Sequence, residues 1–159
     1  MVKYVLEDLL RIRNFRKDRA EKDLKQAQRL VVEAEDNVKR AEQALEDFKV
    51  FIVEESNRLY KKVLGQKVKK EAVDSLNAAL SALKNKLCDY EKMVENEKEN
   101  LEKAKKSLEE KRMALQEANK NIEKISAHKE AWMKEAKMEE EMLADRELEE
   151  FTGKKPERG

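Results

Sequence analysis

Few side chains in this sequence have the types and spacing that catalysis requires. The 159-residue chain holds one histidine, His128, and one cysteine, Cys88. His128 has no second histidine or cysteine with which to build a zinc site, and a single cysteine cannot close a disulfide within the chain. We therefore interpret His128 as a solvated imidazole on a helix surface near Glu123 and Glu130. Cys88 is interpreted as a small, partly buried apolar residue.

Phosphate binding and paired-carboxylate chemistry have no better support. The three glycines, Gly65, Gly153 and Gly159, are too dispersed to form a phosphate-binding loop. Glutamates spaced four residues apart are interleaved with lysines, which predicts ion pairs on a helix surface rather than a catalytic dyad. The sequence therefore predicts no catalytic residue, no cofactor, no metal ion and no enzymatic activity of its own.

The composition indicates long helices that are exposed to water. The chain is 45% charged, 40% hydrophobic and 5% aromatic, and its net charge of +1 gives no general basic character for nucleic acid. No run of about 18 apolar residues exists to span a membrane. The opening residues carry Glu7 and Asp8 and no cleavage site, so they do not resemble a secretory signal. We expect a cytosolic protein.

A long apolar repeat organises the second half of the chain, from Lys67 to Phe151. Fourteen of its first sixteen positions are apolar, and the steps alternate between three and four residues, as in a helix that buries one narrow seam. These positions are Val73, Leu76, Leu80, Leu83, Leu87, Tyr90, Val94, Glu97, Leu101, Ala104, Leu108, Lys111, Leu115, Ala118, Ile122 and Ile125, and the series continues through Lys129, Trp132, Ala136, Glu139 and Leu143. The pattern predicts a helix over about 69–150.

The first half of the chain has a matching repeat, with eleven of twelve seam positions apolar. They are Ala20, Leu24, Ala27, Val31, Ala34, Val38, Ala41, Leu45, Phe48, Ile52, Glu55 and Leu59. The same register extends backwards through Lys17, Arg13, Leu10 and Leu6. This pattern predicts a helix over about 4–63, and Gly65 is suited to cap it in the left-handed conformation.

A turn at about 64–68 is short enough to force the two helices to pack antiparallel. The two seams then match with residue numbers that sum to about 132, as in Leu45 with Leu87. The predicted fold is all-α: two long helices in an antiparallel coiled-coil hairpin, with a C-terminal helical overhang from about Met133. Residues 1–151 form the predicted hairpin domain, and 152–159 a flexible tail.

Several features exceed what a bare coiled coil needs, and we predict candidate partner-binding residues at each. The segment Val50–Val53 is apolar all round, so Phe51 and Val53 either fold over residues 77–82 or form a partner-binding patch near the turn. Arg13 and Lys17 occupy seam positions. Their charged groups either reach water along the side of the helix or pair with an acidic partner. Trp132 is expected to pack against Val2 or Val5. The candidates are Trp132, Met133, Leu143, Leu148, Phe151, Arg13, Lys17, Phe51, Lys61 and Lys62.

Charge is distributed unevenly along the predicted hairpin. From Arg58 to Lys70 the sequence has six basic residues and no acid, whereas from His128 to Phe151 nine acids face four Lys or Arg. The turn is therefore predicted to be basic and the overhang acidic. An apolar strip on an isolated acidic helix is unstable alone. We therefore expect the overhang to dock onto another protein or a second copy.

Two segments resemble the YscO/FliJ family of small stalk components in type III secretion and flagellar export. The opening Met1–Tyr4, followed by Leu6, Glu7 and Leu10, looks like the start of these proteins. Residues His128–Ala136 are similar to a segment of the chlamydial-type members. The resemblance covers the whole chain in length, hairpin layout and overhang.

This resemblance implies a non-enzymatic stalk or adaptor at the pore of a hexameric export ATPase, linked to the cytosolic domain of the export gate. It also implies that the needle-length regulator and translocator chaperones are possible partners, and that the chain works in the bacterial cytoplasm at the inner-membrane export apparatus. A generic structural coiled coil and an RNA-binding coiled-coil arm remain the alternatives. Only Tyr60 accompanies the turn lysines as a base-stacking aromatic, whereas stacking platforms use several.

Overall fold

The described chain consists of two long α-helices. The structure, a computed structural model, describes residues 3–65, 67 and 69–153. Helix α1 spans Glu7–Val63, and helix α2 spans Lys70–Gly153. Over the described ranges there is no strand, which confirms the all-α prediction. The helices contain no apolar segment that could cross a bilayer, as far as the chain is described.

The start of α1 differs from the predicted bound. The helix begins at Glu7 rather than near residue 4, because Tyr4 leaves the helical path and accepts a hydrogen bond on its carbonyl from the Glu7 amide at 3.2 Å. The predicted turn residues Gln66 and Val68 lie outside the described residues.

The end of α2 also differs from the predicted bound. Thr152 and Gly153 were expected in the tail but belong to the helix. The Thr152 hydroxyl donates to the backbone carbonyls of Leu148 and Glu149, each at 3.0 Å, as hydroxyls often do inside a helix. The rest of the predicted tail, 154–159, lies outside the described residues.

Gly65 ends α1 in the predicted way. Its φ is +84°, a left-handed conformation that glycine adopts without a steric penalty. The Leu64 amide still donates to the Tyr60 carbonyl at 2.9 Å, so the helical pattern continues to the residue before the glycine. The predicted left-handed cap is confirmed.

The chain divides by compactness into two units. The tip unit comprises Lys25–Glu110. The terminal unit comprises the described parts of Met1–Leu24 and Lys111–Gly159. Each unit contains a stretch of α1 and a stretch of α2. The prediction of a single hairpin domain over residues 1–151 stays a prediction.

In the tip unit the two helices run antiparallel, and the core follows the predicted seams. Phe48 stacks on Tyr90 with ring centroids 4.7 Å apart, and Glu42 reaches Lys98 at 3.9 Å, so α1 positions descend as α2 positions rise. Every residue of the unit that is buried lies on a predicted seam: Ala27, Val31, Ala34, Val38, Ala41, Phe48 and Val94. Small residues dominate this core, so the two backbones can approach closely.

The register of the tip unit differs from the predicted one. A residue-number sum of about 132 would place Phe48 opposite Lys84, yet its ring stacks on Tyr90. The observed partner lies six positions beyond the predicted one, close to the seven-residue interval after which a seam repeats, so the pattern alone does not separate the two registers. The observed pairing brings two seam aromatics together. It also leaves Val73, the predicted partner of Leu59, 41% exposed.

The terminal unit is held by a cluster around Tyr4, which we call the Tyr4 clamp: Tyr4, Glu7, His128, Lys129 and Trp132. Tyr4 is only 5% exposed, and its ring meets the Trp132 ring edge-on at 5.3 Å. The Tyr4 hydroxyl is hydrogen-bonded to His128 Nδ1 at 2.5 Å. Lys129 Nζ lies 5.9 Å from the Tyr4 ring centroid and 2.9 Å from Glu7 Oε2. The clamp fixes the start of α1 against α2.

The Tyr4 clamp bears on two sequence interpretations. His128 is exposed on the helix surface, as expected, and one of its ring nitrogens is also hydrogen-bonded to the Tyr4 hydroxyl. Trp132 was expected to pack against Val2 or Val5; Val2 lies outside the described residues, and Val5 is largely exposed. Tyr4 takes that place because the chain before Glu7 is not helical and turns its ring towards α2.

We predict that Gly65→Ala lowers the free energy of unfolding by about 1 kcal/mol, as measured by urea denaturation. A Cβ built at Gly65 meets no atom within 4 Å, so the whole effect would come from the left-handed backbone. Gly153→Ala is the matched control, because a Cβ there also meets nothing and its φ is negative. A control as destabilising as Gly65→Ala would contradict the explanation.

We further predict that Tyr4→Ala lowers the free energy of unfolding by about 2 kcal/mol. This is less than the ~3–5 kcal/mol typical of an enclosed aromatic, because the first turn of α1 can fray instead. Amide hydrogen exchange should show lost protection in the first turns of α1. Tyr60→Ala, at a half-exposed tyrosine of the tip unit, is the control and should change little. Unchanged exchange in Tyr4→Ala would show that the clamp does not hold the N-terminal turns.

Candidate protein-interaction site

No residue of helix α2 after Ala136 is buried or half-buried. Seam positions from Leu76 to Ala136 are buried or half-buried, whereas every residue from Lys137 to Gly153 is exposed. We call Lys137–Gly153 the overhang. Its continuation of the seam pattern, Glu139 and Leu143, therefore has the spacing of a coiled coil but no burial. The predicted C-terminal overhang is present, and its fully exposed part begins a turn later than Met133.

The overhang presents large apolar side chains to solvent. Phe151 is 74% exposed, and Met138, Met142, Leu143 and Leu148 are all more than half exposed. Each such side chain would gain about 25 cal/mol for each Å² of apolar surface removed from water. Exposed apolar residues concentrated in one segment are typical of a protein-binding surface.

The overhang is also strongly acidic. Its 17 residues contain seven Asp or Glu and two Lys or Arg. A groove along α2 runs from Trp132 to Leu143, and its lining includes Glu135, Glu139 and Glu140. A complementary partner would therefore need apolar side chains and positive charge together.

Trp132 and Met133 lie next to each other in sequence but differ in surroundings. Trp132 is half-buried against Tyr4, so the structure gives it a packing contact within the chain. Met133 is exposed and adjoins the overhang. A partner-binding role for either residue stays a prediction.

Arg13 and Lys17 are half-buried on the seam side of α1. Lys17 lies 3.9 Å from Glu21, one turn along the same helix, so its charge is partly matched locally. Arg13 Nε is buried and has no hydrogen-bond partner among the described residues. Arg13 lines a groove with Glu117 and Asn121. An unpaired buried donor costs about 1–3 kcal/mol, which an incoming acceptor would recover.

The apolar segment around Phe51 is largely exposed. Phe51 contacts Phe48 with ring centroids 5.7 Å apart, yet about half of it remains open to solvent. Val53 lines a groove with Asn77 and Ser81, as the folding-over interpretation expected for that residue. Phe51 does not line that groove.

The lysines near the turn are exposed, including Lys61 and Lys62. The neighbouring Arg58 is engaged within α1, where its Nε donates to Glu55 Oε2 at 3.0 Å. This hydrogen bond lowers the pKa of the Glu55 carboxyl and explains how a carboxylate fits a half-buried seam position. The positive charge available to a partner there comes from the lysines.

A second exposed apolar surface was not recognised in the sequence. Val5, Leu9, Ile12 and Phe15 are all exposed, and Phe15 is 69% exposed. Leu9, Ile12 and Phe15 follow each other by three residues within α1, which is the signal that could have revealed them as one face, while Val5 precedes the helix. The seam positions Leu10 and Arg13, each one residue after a member of this face, obscured that second periodicity.

Cys88 differs from its expected placement. It is exposed rather than partly buried, and it lies beside Leu45 and Val94 in a surface groove. Residues 3–65, 67 and 69–153 contain no cluster of three or more His, Cys, Asp or Glu arranged for a metal ion. The candidate site is therefore a set of exposed surfaces, of which the overhang carries five large exposed apolar side chains.

Comparisons with known proteins agree with this arrangement. The family model for the type III secretion protein YscO matches residues 6–154. A search of curated proteins finds no significant match.

Two solved structures resemble the fold. The crystal structure of the type III secretion protein YscO from Vibrio parahaemolyticus is 25% identical, with a TM-score of 0.88 and 92% of each chain covered. The structure of CT670 from Chlamydia trachomatis, a proposed YscO homolog, is 31% identical, with a TM-score of 0.77; the match covers 96% of this chain and 94% of that one. The family match and the antiparallel helices lead to one conclusion: the chain belongs to the YscO family of type III secretion proteins.

Proposed function

We propose that the protein is a non-enzymatic stalk or adaptor of a type III secretion export apparatus. In this proposal the overhang binds the hexameric export ATPase, and the turn of the hairpin links that ATPase to the cytosolic domain of the export gate. The protein acts in the bacterial cytoplasm, peripheral to the inner membrane. The observation that carries the proposal is the complete exposure of α2 from Lys137 onward.

The dimensions of the overhang suit entry into a ring. A single helix with its side chains is about 10–12 Å across, whereas two packed helices are nearly twice as wide. The overhang is the only described part of α2 with no half-buried residue, so its whole circumference is open to surrounding subunits. A ring can contact several sides of such a helix at once. Exposed apolar side chains on different sides of the overhang, such as Met142 and Leu148, fit this kind of enclosure.

The acidic charge of the overhang indicates which charge the proposed partner surface carries. Seven acids against two basic residues favour an ATPase pore lined with Lys or Arg. Apolar burial would supply most of the binding free energy, while charge would steer the approach and make the association rate depend on salt.

The remaining candidate surfaces are assigned to other partners of the apparatus. The exposed turn lysines would face an acidic surface of the export gate. The Phe51 segment, and the groove at Arg13 with its unsatisfied Nε, would serve translocator chaperones or the needle-length regulator. A generic structural coiled coil would use none of these surfaces, so loss of function on changing them separates the two ideas.

We predict that truncation after Lys137 leaves the melting temperature within a few degrees of the full chain and abolishes stimulation of the export ATPase. The removed residues that the structure describes, 138–153, are all exposed, so we expect little loss of stability. Circular dichroism and a phosphate-release assay with the purified ATPase would measure both effects on one truncated protein.

Point variants refine this experiment. Leu143→Ser with Leu148→Ser should weaken stimulation, whereas Leu30→Ser with Val32→Ser, at comparably exposed sites of the tip unit, should not. A large loss of stability on truncation would mean that the overhang packs within the protein. Undiminished stimulation would place the ATPase contact elsewhere.

We predict that replacing the five turn lysines with Gln barely changes stability and weakens binding to the export gate. The replaced residues are Lys61, Lys62, Lys67, Lys69 and Lys70, all of them exposed, and exposed charges contribute little to folding. Titration calorimetry between about 50 and 500 mM salt should show a shallower salt dependence for the variant.

The matched control replaces five exposed lysines of α2: Lys84, Lys86, Lys92, Lys103 and Lys106. It removes the same charge and should bind as the unmodified protein does. Equal weakening of gate binding by both variants would show that the effect comes from net charge alone. Filter binding with tRNA tests the alternative of an RNA-binding arm, and tight binding that only the turn substitutions abolish would favour that alternative.

A further inference from the structure

The first turns of α1 carry an apolar face that the fold does not use. We call Val5, Leu9, Ile12 and Phe15 the N-terminal stripe. All four are exposed, while the seam residues of the same segment, such as Leu10, are turned towards α2 and half-buried. Val5 precedes the helix, and the two steps of three residues from Leu9 to Phe15 keep those three side chains on one side of α1. An exposed contiguous apolar face on a short segment indicates a contact surface.

The surroundings of the N-terminal stripe are basic. Arg16 and Arg19 are exposed and follow Ile12 by four and seven residues, which places them on the same side of α1. From Arg11 to Arg19 the sequence has five basic residues and one acid. The stripe therefore suits a partner that is apolar and acidic.

The overhang of the same chain has those two properties on one face. Leu143, Ala144, Leu148 and Phe151 are exposed, and their spacing follows one side of α2. On that same side, Glu140 lies one turn before Leu143 and Ala144, and Glu147 lies one turn before Phe151. We call these six residues the overhang face.

The two surfaces also match in length. From Glu7 to Arg19 α1 rises about 18 Å, and from Glu140 to Phe151 α2 rises about 17 Å. One copy cannot bring its own two surfaces together, because α2 is an uninterrupted helix from Lys70 to Gly153 and cannot fold back at Ala136. Contact between the surfaces requires a second copy.

We infer that two copies of this chain associate by placing the overhang face of each on the N-terminal stripe of the other. Such an arrangement is two-fold symmetric, so both contacts form at once and both apolar surfaces of each protomer are covered. The overhang of each copy then runs parallel to α1 of its partner, which places Glu147 beside Arg16 and Arg19. The dimer is a weak one, because each contact consists of a single pair of helices.

This inference does not rest on the proposed function, although both involve the overhang. A dimer formed in this way would hide the overhang until the export ATPase displaces it. Self-association is measured without the ATPase, and stimulation at concentrations where the chain is monomeric, so either idea can fail while the other stands.

The first test is sedimentation equilibrium of the full chain. We expect a monomer–dimer equilibrium with a dissociation constant in the micromolar range, weakened about tenfold between about 50 and 500 mM salt. A chain that remains monomeric at about 200 µM in low salt overturns the inference.

The decisive test is a charge swap. One variant carries Arg16→Glu and Arg19→Glu, and the other carries Glu147→Arg. Each alone should dimerise severalfold more weakly, because like charges then face each other. An equimolar mixture should form the heterodimer more strongly than either variant forms its homodimer, and the variant that carries all three changes should recover association in the same way. All substituted side chains are exposed, and a thermal melt of each variant checks the fold.

Other occupants of the N-terminal stripe give different results. If the mixture does not restore association, the two surfaces are not partners and the inference is wrong. If the unmodified chain is monomeric but cosediments with vesicles of phosphatidylserine and phosphatidylcholine, and Phe15→Glu abolishes this, an anionic membrane surface is the occupant instead. Dimerisation that survives both charge reversals unchanged would place the dimer contact on another face.

Discussion

Two packed helices can bury only one stripe of each, and the rest of this structure depends on that limit. Eight hydrophobic residues of the described chain are buried, and five of them are Ala or Val in the middle of α1. A fully buried Val contributes about 1.5 kcal/mol or somewhat more, and an Ala contributes less. Stability is therefore spread over many thin layers. Large apolar residues away from the seam, such as Phe15 and Met142, stay exposed and remain available for contacts with other molecules.

The same limit explains which parts of the fold could be predicted from sequence. Steps of three and four residues locate the seams, and six of the twelve positions predicted for α1 are buried. The register in the tip unit could not be found in this way, because a seven-residue repeat matches its partner equally well one heptad further on. The register is decided by contacts between particular side chains, above all by the stacking of Phe48 on Tyr90. Rings of that size have specific partners, which a pattern of apolar residues does not encode.

The Tyr4 clamp was missed for a related reason. Tyr4 lies outside α1, so no helical periodicity marks it as a core residue, yet it is among the most buried residues of the described chain. Its contacts with His128, Lys129 and Trp132 join residues more than 120 positions apart. The overhang, in contrast, could be predicted from helix lengths alone. Its position at the end of α2 follows from the greater length of α2 compared with α1, and no side-chain detail is needed to predict it.

The overhang continues the seam pattern of α2 beyond the last residue of that seam that is half-buried, Ala136. Leu143 follows Ala136 by seven residues and has the seam position of a buried leucine, but nothing in the described chain covers it. Where the two helices do pack, opposite charges flank the seam, as in Glu42 with Lys98 and Glu7 with Lys129. In both pairs α1 supplies the acid and α2 the base, whereas in the overhang α2 is itself acidic. Whatever molecule completes this surface must therefore supply the apolar stripe that α1 supplies elsewhere, together with positive charge. The same requirement applies to the pore of an export ATPase and to the N-terminal stripe of a second copy, which is why the two would compete.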